Sequence, residues 1–301
     1  MSIADNIAPA ADRYTVEHDT RYTYRVPVAQ SWQLAHLTPA SLPWQAVRAH
    51  ELAIEPPPDE RHERRDAFGN RVTHFGVHGP HPLLHVRMTC DVEVGDRPDP
   101  AIPRALAWED VRGSLHDEPA QDGLRPARMA EPSALVPWSD AARAYAAPSF
   151  TSGRDWLDAV TDVMRRIHRE FDFEPGTTTV TTSVDEVLAL KSGVCQDFAH
   201  LMIACLRSHG LAARYVSGYL LTQAPPGRPR LLGADVSHAW VAAYSPHHGW
   251  VEFDPTNDQL ADRRYITLAS GGDFADVVPL RGVILGGRGQ KMQVGVSVIP
   301  R

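Results

Sequence analysis

The 301-residue chain is 43% hydrophobic, with 25 prolines and 21 glycines. That is enough apolar mass for one large or two ordinary domains with real cores, and it excludes a disordered or fibrous chain. Thirty Lys and Arg against 37 Asp and Glu leave a net charge of −7, so the long-range attraction behind nucleic-acid binding is missing and DNA and RNA are not expected partners. No stretch approaches the roughly 18 consecutive apolar residues of a membrane-spanning helix. The opening MSIADNIAPAADRYTVEHD carries acids where a secretory signal would be basic and then apolar, so the expectation is a soluble cytoplasmic protein with no membrane partner.

From Arg21 to about Gly95, short runs rich in β-branched and aromatic residues (RYTYRVPV, RVTHFGVH, LLHVRMTCDVEV) predict antiparallel strands. Turn chemistry separates them at Pro56-Pro57-Pro58, at Asp66-Ala67-Phe68-Gly69-Asn70 and at Gly79-Pro80. Residues 1–100 are therefore expected to form a small antiparallel β domain and residues 101–301 a second domain, divided near the prolines of Arg97–Pro103. Residues 104 to 137 show no clear periodicity and are expected to be mostly irregular. Leu157, Val160, Met164, Ile167 and Phe171 recur at helical spacing and predict a helix from about Gly153 to Phe171. Ser183-Val184-Asp185-Glu186 has the pattern of a capping box, with Ser192-Gly193 ending the helix that follows. A further helix starts at about Cys195, carries Phe198, Leu201, Met202, Cys205 and Leu206 as an apolar stripe and stops at Gly210. Strands follow at ARYVSGYLL, SHAWVAAY, GWVEFDP and MQVGVSVI.

The three cysteines, Cys90, Cys195 and Cys205, lack the spacing of a disulfide framework or a zinc site. Cys195 opens a helix, where unpaired N–H groups and the helix dipole favour the thiolate, the nucleophilic form. Ser245–Gly249 reads as the turn of a hairpin between Ser237–Tyr244 and Trp250–Asp254. If Tyr244 faces Trp250, alternation puts His238, Trp240, Trp250 and Asp254 on one face, with His238 and Asp254 as diagonal neighbours roughly 7 Å apart at Cβ. A one-residue slip destroys the arrangement. In it, Asp254 would fix the tautomer of His238, whose other nitrogen would take the thiol proton and later deliver it to a leaving amine.

Ser192-Gly193-Val194-Cys195-Gln196-Asp197-Phe198-Ala199-His200, Ser237-His238-Ala239-Trp240-Val241 and Gly249–Asn257 resemble, in order and spacing, the three signature blocks of the bacterial transglutaminase-like superfamily. The strand-rich N-terminal region with its Asp66–Asn70 turn is similar to the β domain that precedes the core in one bacterial branch, among transglutaminase-like cysteine proteases. The resemblance implies an α+β chain with a papain-like core, Cys195 as nucleophile, His238 as general base and acid, and Asp254 as the residue orienting it. Asp273–Pro279 resembles a C-terminal segment of the family, with Tyr265 where a histidine is expected and Gly272 where an arginine is expected, departures that bear on a substrate-facing loop. The expected reaction is acyl transfer through an acyl-enzyme, with hydrolysis of a peptide, protein or other amide substrate favoured. Joining of glutamine side chains to amines is the alternative, and a non-catalytic binding module is a third reading.

For the oxyanion, the backbone N–H of Cys195 is one candidate donor and the side chain of Gln196 another, weighed against a solvent-facing or capping role. Trp240 and Trp250 are read as core more than as cleft walls. The Gly79-Pro80 turn would pair His78 with His81 and His74 with His85, but the two pairs fall roughly 13 Å apart along the strands, too far to share one ion, so a solvated polar face is expected. Asp197 and His200 are read as supporting residues, and Cys90 and Cys205 as packing residues. No cofactor and no metal are expected, calcium included, since no acidic loop with regularly spaced oxygen ligands is present.

Overall fold

A computed structural model describes residues 11–100, 106–120, 124–221 and 237–301. The N-terminal region forms one antiparallel sheet from β1 (Asp12–Ala35), β2 (Gln45–Glu55), β3 (Glu60–Arg65) and β4 (Arg71–Val94). Alternation drives it: Leu84, Val86, Met88, Cys90, Val92 and Val94 of β4 are all buried, while Arg87 between them is exposed. The expected turn at Gly79-Pro80 is not there. β4 runs through it as a single strand, with His78 opposite Gln30 and His81 opposite Val28, where the register of β1 shifts. Proline is tolerated at such a bulge because the ladder asks it for no N–H. The four histidines are therefore spread along one strand; His81 is buried and donates from Nδ1 to the Gly79 carbonyl (2.7 Å), and His78 lies 3.4 Å from Glu60.

The second region begins with α1 (Trp108–Ser114), a helix within the span expected to be irregular. Trp108 anchors it edge-on to Phe150 and His209. Then come α2 (Asp140–Ala146), α3 (Trp156–Glu170), the two-residue β5 (Asp172–Phe173), α4 (Val184–Leu190), the two-residue β6 (Ser192–Gly193), which pairs in parallel with β5, and α5 (Cys195–Arg207). The Ser183–Glu186 capping box is formed, and Lys191 ends α4 in the left-handed conformation. The sheet of this region has the order β10-β9-β8-β7-β11, with β7 Ala213–Leu220, β8 Ser237–Ser245, β9 Gly249–Asp254, β10 Gln259–Leu260 and β11 Tyr265–Gly271. Every residue of α5 from Asp197 to Arg207 is buried, so beyond its half-buried first two residues this helix carries no solvent face and forms the centre of the core.

The division at residue 100 needs one amendment. The terminal strand expected around MQVGVSVI is β12 (Leu280–Pro300), and it pairs with β1 along its whole length, from Ala35 opposite Leu280 to Tyr14 opposite Pro300. The N-terminal sheet, ordered β12-β1-β4-β2, is thus completed by the end of the chain. β11, at the edge of the second sheet, is covered by side-chain amides from the N-terminal region. Gln45 accepts from Thr267 N (2.8 Å) and donates to Thr267 O (2.8 Å); Asn70 accepts from Ser270 N (2.9 Å) and donates to Ser270 O (2.8 Å). Two primary amides imitate a neighbouring strand and satisfy an edge that would otherwise be open. No helix among the described residues is long and apolar enough to cross a membrane.

Candidate active site

The start of α5 is set by what precedes it. Ser192-Gly193 is extended along β5, and Val194 caps the helix with φ −123° and ψ 179°. Valine has no acceptor to offer, so the cap is one-sided: the Asp197 carboxylate reaches back to accept from Val194 N (2.8 Å) and from Thr178 Oγ1 (2.7 Å). Burial raises the pKa of Asp197 in spite of these two donors. Gly193 is required here, because a Cβ on it would lie 2.8 Å from Asp197 Oδ2. Cys195 follows, half-buried, at the first helical position, where N–H groups have no partner within the helix.

The hairpin has the register that alternation predicts. Tyr244 is opposite Trp250 and Val241 opposite Phe253. His238 Nε2 donates to Asp254 Oδ2 at 2.7 Å, and Cys195 lies near enough to the same imidazole to act on its titration. Burial alone would lower the pKa of His238; its hydrogen bond to Asp254, and the influence of Asp254 and Cys195 as charges, overturn this and push it up to about 10. The structure thus places the Asp254 carboxylate on the His238 imidazole, with Cys195 close enough to act on the same ring. Gly218, opposite His238 on β7, lets the sheet close at this point: a Cβ there would lie 2.1 Å from Ile266 O and 2.5 Å from Trp240 Cη2.

Asp254 is fully buried and saturated with donors. Oδ1 accepts from Thr256 N (2.8 Å) and Asn257 N (3.3 Å); Oδ2 accepts from His238, from Asn257 Nδ2 (2.7 Å) and from Tyr265 Oη (2.6 Å). Burial pulls its pKa up, and these donors with the His238 charge outweigh burial and hold it low. Asn257 and Tyr265 were not among the expected site residues. Asn257 lay within the third signature block, so position was the available signal; Tyr265 was visible as a departure from the family pattern, but as part of a substrate-facing loop. It is instead fully buried behind the carboxylate.

The remaining expectations resolve residue by residue. Gln196 donates from Nε2 to Val180 O (3.2 Å), a contact that ties the loop before α4 to the first turn of α5. Trp240 is fully buried and walls no open cleft; its Nε1 donates to Glu252 Oε2 (3.1 Å), which also pairs with Arg97 (2.9 Å). Trp250 packs on Tyr244 under the Arg214 guanidinium. His200 is buried and accepts from Phe274 N (3.2 Å), and burial pushes its pKa down to about 4, so it is a neutral structural residue. Gly272, in place of the expected arginine, offers its carbonyl to the buried guanidinium of Arg207 (2.7 Å), which also bonds Ser133, Met129 and Ala213. Burial raises the thiol pKa of Cys90 and of Cys205 to about 12.

Comparison with known proteins agrees with this architecture. Residues 14–93 match the bacterial transglutaminase-like N-terminal region, and residues 143–255 match the transglutaminase-like superfamily. An uncharacterized protein of Mycobacterium tuberculosis is 42% identical over 302 residues, covering 96% of this chain and 93% of its own length. An uncharacterized protein of Mycobacterium leprae is 33% identical, with 95% and 98% covered. A protein-glutamine gamma-glutamyltransferase of Pseudomonas aeruginosa is 31% identical over 108 residues, 35% of this chain and 16% of that protein. A crystal structure from Cytophaga hutchinsonii, described as that of a candidate cysteine protease, shares the fold with a TM-score of 0.73 at 20% identity, covering 96% of this chain and 91% of that one. Matched in both of its regions and related along nearly its whole length, the chain belongs to the transglutaminase-like superfamily, in the bacterial form that carries its own N-terminal region ahead of the core.

Proposed function

We propose that this protein is a cysteine-dependent acyl-transfer enzyme that hydrolyses a peptide or other amide bond. The observation that carries the reading is the His238–Asp254 hydrogen bond (2.7 Å) set beside Cys195 at the start of α5, with an imidazole whose pKa the charges of both partners raise. Cys195 Sγ attacks the amide carbonyl, and the oxyanion that forms is held by the Cys195 N–H at the positive end of α5. Collapse breaks the C–N bond as His238 gives its proton to the departing amine, leaving a thioester on Cys195. Water then attacks the thioester, losing a proton to His238, and the acid is released. Asp254 holds His238 in the tautomer that aims its other nitrogen at Cys195 and stabilises the imidazolium.

Support for a second reading comes from the match of 108 residues to a protein-glutamine gamma-glutamyltransferase. In that case an amine takes the place of water in the second half-reaction. The experiment that tests the shared first half is alkylation of Cys195 by iodoacetamide as a function of pH, read by peptide mass spectrometry. Labelling that persists at pH 6 and disappears in His238→Ala is expected; labelling that rises only near the ordinary thiol value of about 8.5 and ignores the substitution would overturn the proposal. Product analysis on an unfolded protein substrate, with and without a labelled primary amine, separates hydrolysis from amine transfer.

A further inference from the structure

Asp254 does not choose its own orientation. We propose that Tyr265 is a positioning residue for the acyl-transfer site, holding the Asp254 carboxylate toward His238 as the last member of a relay that runs Arg264, Gln259, Tyr265, Asp254. The inference rests on the reading above, because it concerns the same three side chains.

Each member of the relay donates forward. Arg264 Nε grips Asp262 Oδ1 and Oδ2 (3.0 and 2.8 Å), and Arg264 Nη2 donates to Gln259 Oε1 (2.9 Å). Gln259 Nε2 donates to Tyr265 Oη, and Tyr265 Oη donates to Asp254 Oδ2 (2.6 Å). Burial and the Asp254 charge keep the phenol pKa well above its ordinary value, so toward the carboxylate the hydroxyl acts only as a donor. The backbone of Tyr265 is fixed on both sides: its N–H donates to Asp262 O (3.1 Å) and its carbonyl accepts from Arg97 Nη2 (3.1 Å). The ring stacks edge-on against Trp240 and tilts over His238. The charged groups facing this side chain are Asp254 in front, Asp262 and Arg264 on the loop before β11, Arg97 on the backbone side and the His238 imidazole.

The chemistry requires such a residue. A fully buried carboxylate has its orientation imposed by its donors, and rotation about its last bond would take Oδ2 away from His238 Nε2. Oδ1 is held by backbone N–H groups of the following turn, whereas Oδ2 is held only by side chains, of which Asn257 is exposed and Tyr265 is fully buried. Tyr265 is the rigid one of the two.

The test uses Tyr265→Phe, which keeps the ring and its packing and removes only the hydroxyl. In the iodoacetamide profile of Cys195, the acid limb is expected to move up by roughly one pH unit, seen as about tenfold slower labelling at pH 6. Gln259→Leu, at a half-buried position, should shift the limb in the same direction by less, and it carries the test if the phenylalanine variant does not fold. Adding Tyr265→Phe to Asp254→Asn should change the profile no further, because the hydroxyl acts through the carboxylate. A profile for Tyr265→Phe that superimposes on the unmodified protein, or a shift that adds in full to that of Asp254→Asn, would overturn this inference alone. An unmodified profile that does not depend on His238 would overturn the acyl-transfer reading and this inference with it.

Discussion

Gln45→Ala should destabilise the protein by roughly 3–6 kcal/mol although it lies in the other sheet from the candidate site. The Gln45 side chain is fully buried and makes three hydrogen bonds: Nε2 to Ala40 O (2.7 Å), Nε2 to Thr267 O (2.8 Å), and Thr267 N to Oε1 (2.8 Å). The Thr267 carbonyl keeps a second donor, Ala40 N (3.0 Å), so truncation orphans the buried Thr267 N–H and the half-buried Ala40 carbonyl. Each orphan costs about 1–3 kcal/mol, and the one lost methylene adds about 0.8 kcal/mol, from which a water entering the gap recovers part. Urea unfolding followed by tryptophan fluorescence, at an unchanged denaturant slope, reads the difference. A loss under about 1 kcal/mol would refute the account of β11 as an edge held by side-chain amides. Gln45→Glu sharpens the test, because at pH 7 a carboxylate oxygen would stand where the NH2 group faces two carbonyls. That variant should be at least as destabilised as the alanine at pH 7 and should recover on acidification, as a protonated carboxyl regains one donor.

Gly193→Ala should lower the melting temperature and slow Cys195 labelling together, because the new Cβ would collide with the Asp197 carboxylate that caps α5; a variant with normal melting and labelling would contradict it. His18 and His200, both buried with pKa pushed down to about 4, are neutral in the fold, while the unfolded chain protonates near 6.5. Their contribution to stability is therefore present above pH 6.5 and lost as pH falls toward 4, by about 3 kcal/mol for each; urea midpoints at pH 7, 5.5 and 4.5 should fall, and less steeply in His200→Gln. Native-state alkylation should modify Cys195 and leave the buried Cys90 and Cys205 untouched until urea unfolds the chain, as peptide mass spectrometry would report. Gln196→Ala should lower turnover by less than about tenfold, against the hundredfold or more lost with an oxyanion donor, since its amide is engaged by the Val180 carbonyl.

The parts of the site that were legible in the sequence are those fixed by local periodicity. The hairpin turn is short and strand alternation has period two, so the pairing of Tyr244 with Trp250 carried the meeting of His238 and Asp254 with it. The helix start at Cys195 was marked by Ser192-Gly193 before it and by the apolar stripe that follows. What was not legible depends on partners distant in sequence. Nothing local in Leu280–Pro300 says that it pairs with β1, 272 residues earlier for the pair Arg21 and Gln293. Gly79-Pro80 carries turn residues, yet it sits in a strand because a shift in β1 removes the demand for its N–H. The Asp66–Asn70 turn was legible as a turn but not as a contact with β11, since the Asn70 amide meets the backbone of a residue 200 positions away. Tyr265 was misplaced for the same reason: its side-chain direction follows from where β11 begins, not from its neighbours.

These distant contacts converge on one strand. β11 carries Tyr265 at its first residue, Thr267 under Gln45 and Ser270 under Asn70. A buried carboxylate with its oxygens in the wrong direction would be worse than none, because an ionised group without donors costs several kcal/mol to bury. The donors of Asp254 must therefore stand on backbone that does not move, and an edge strand with free N–H and C=O groups is poor support. Covering that edge with Gln45 and Asn70 makes the N-terminal sheet part of the rigidity of the site without giving it a contact with the thiol. On this argument the N-terminal region supports the geometry of Asp254 through β11, and its match to a family region that accompanies the transglutaminase-like core has a physical reason.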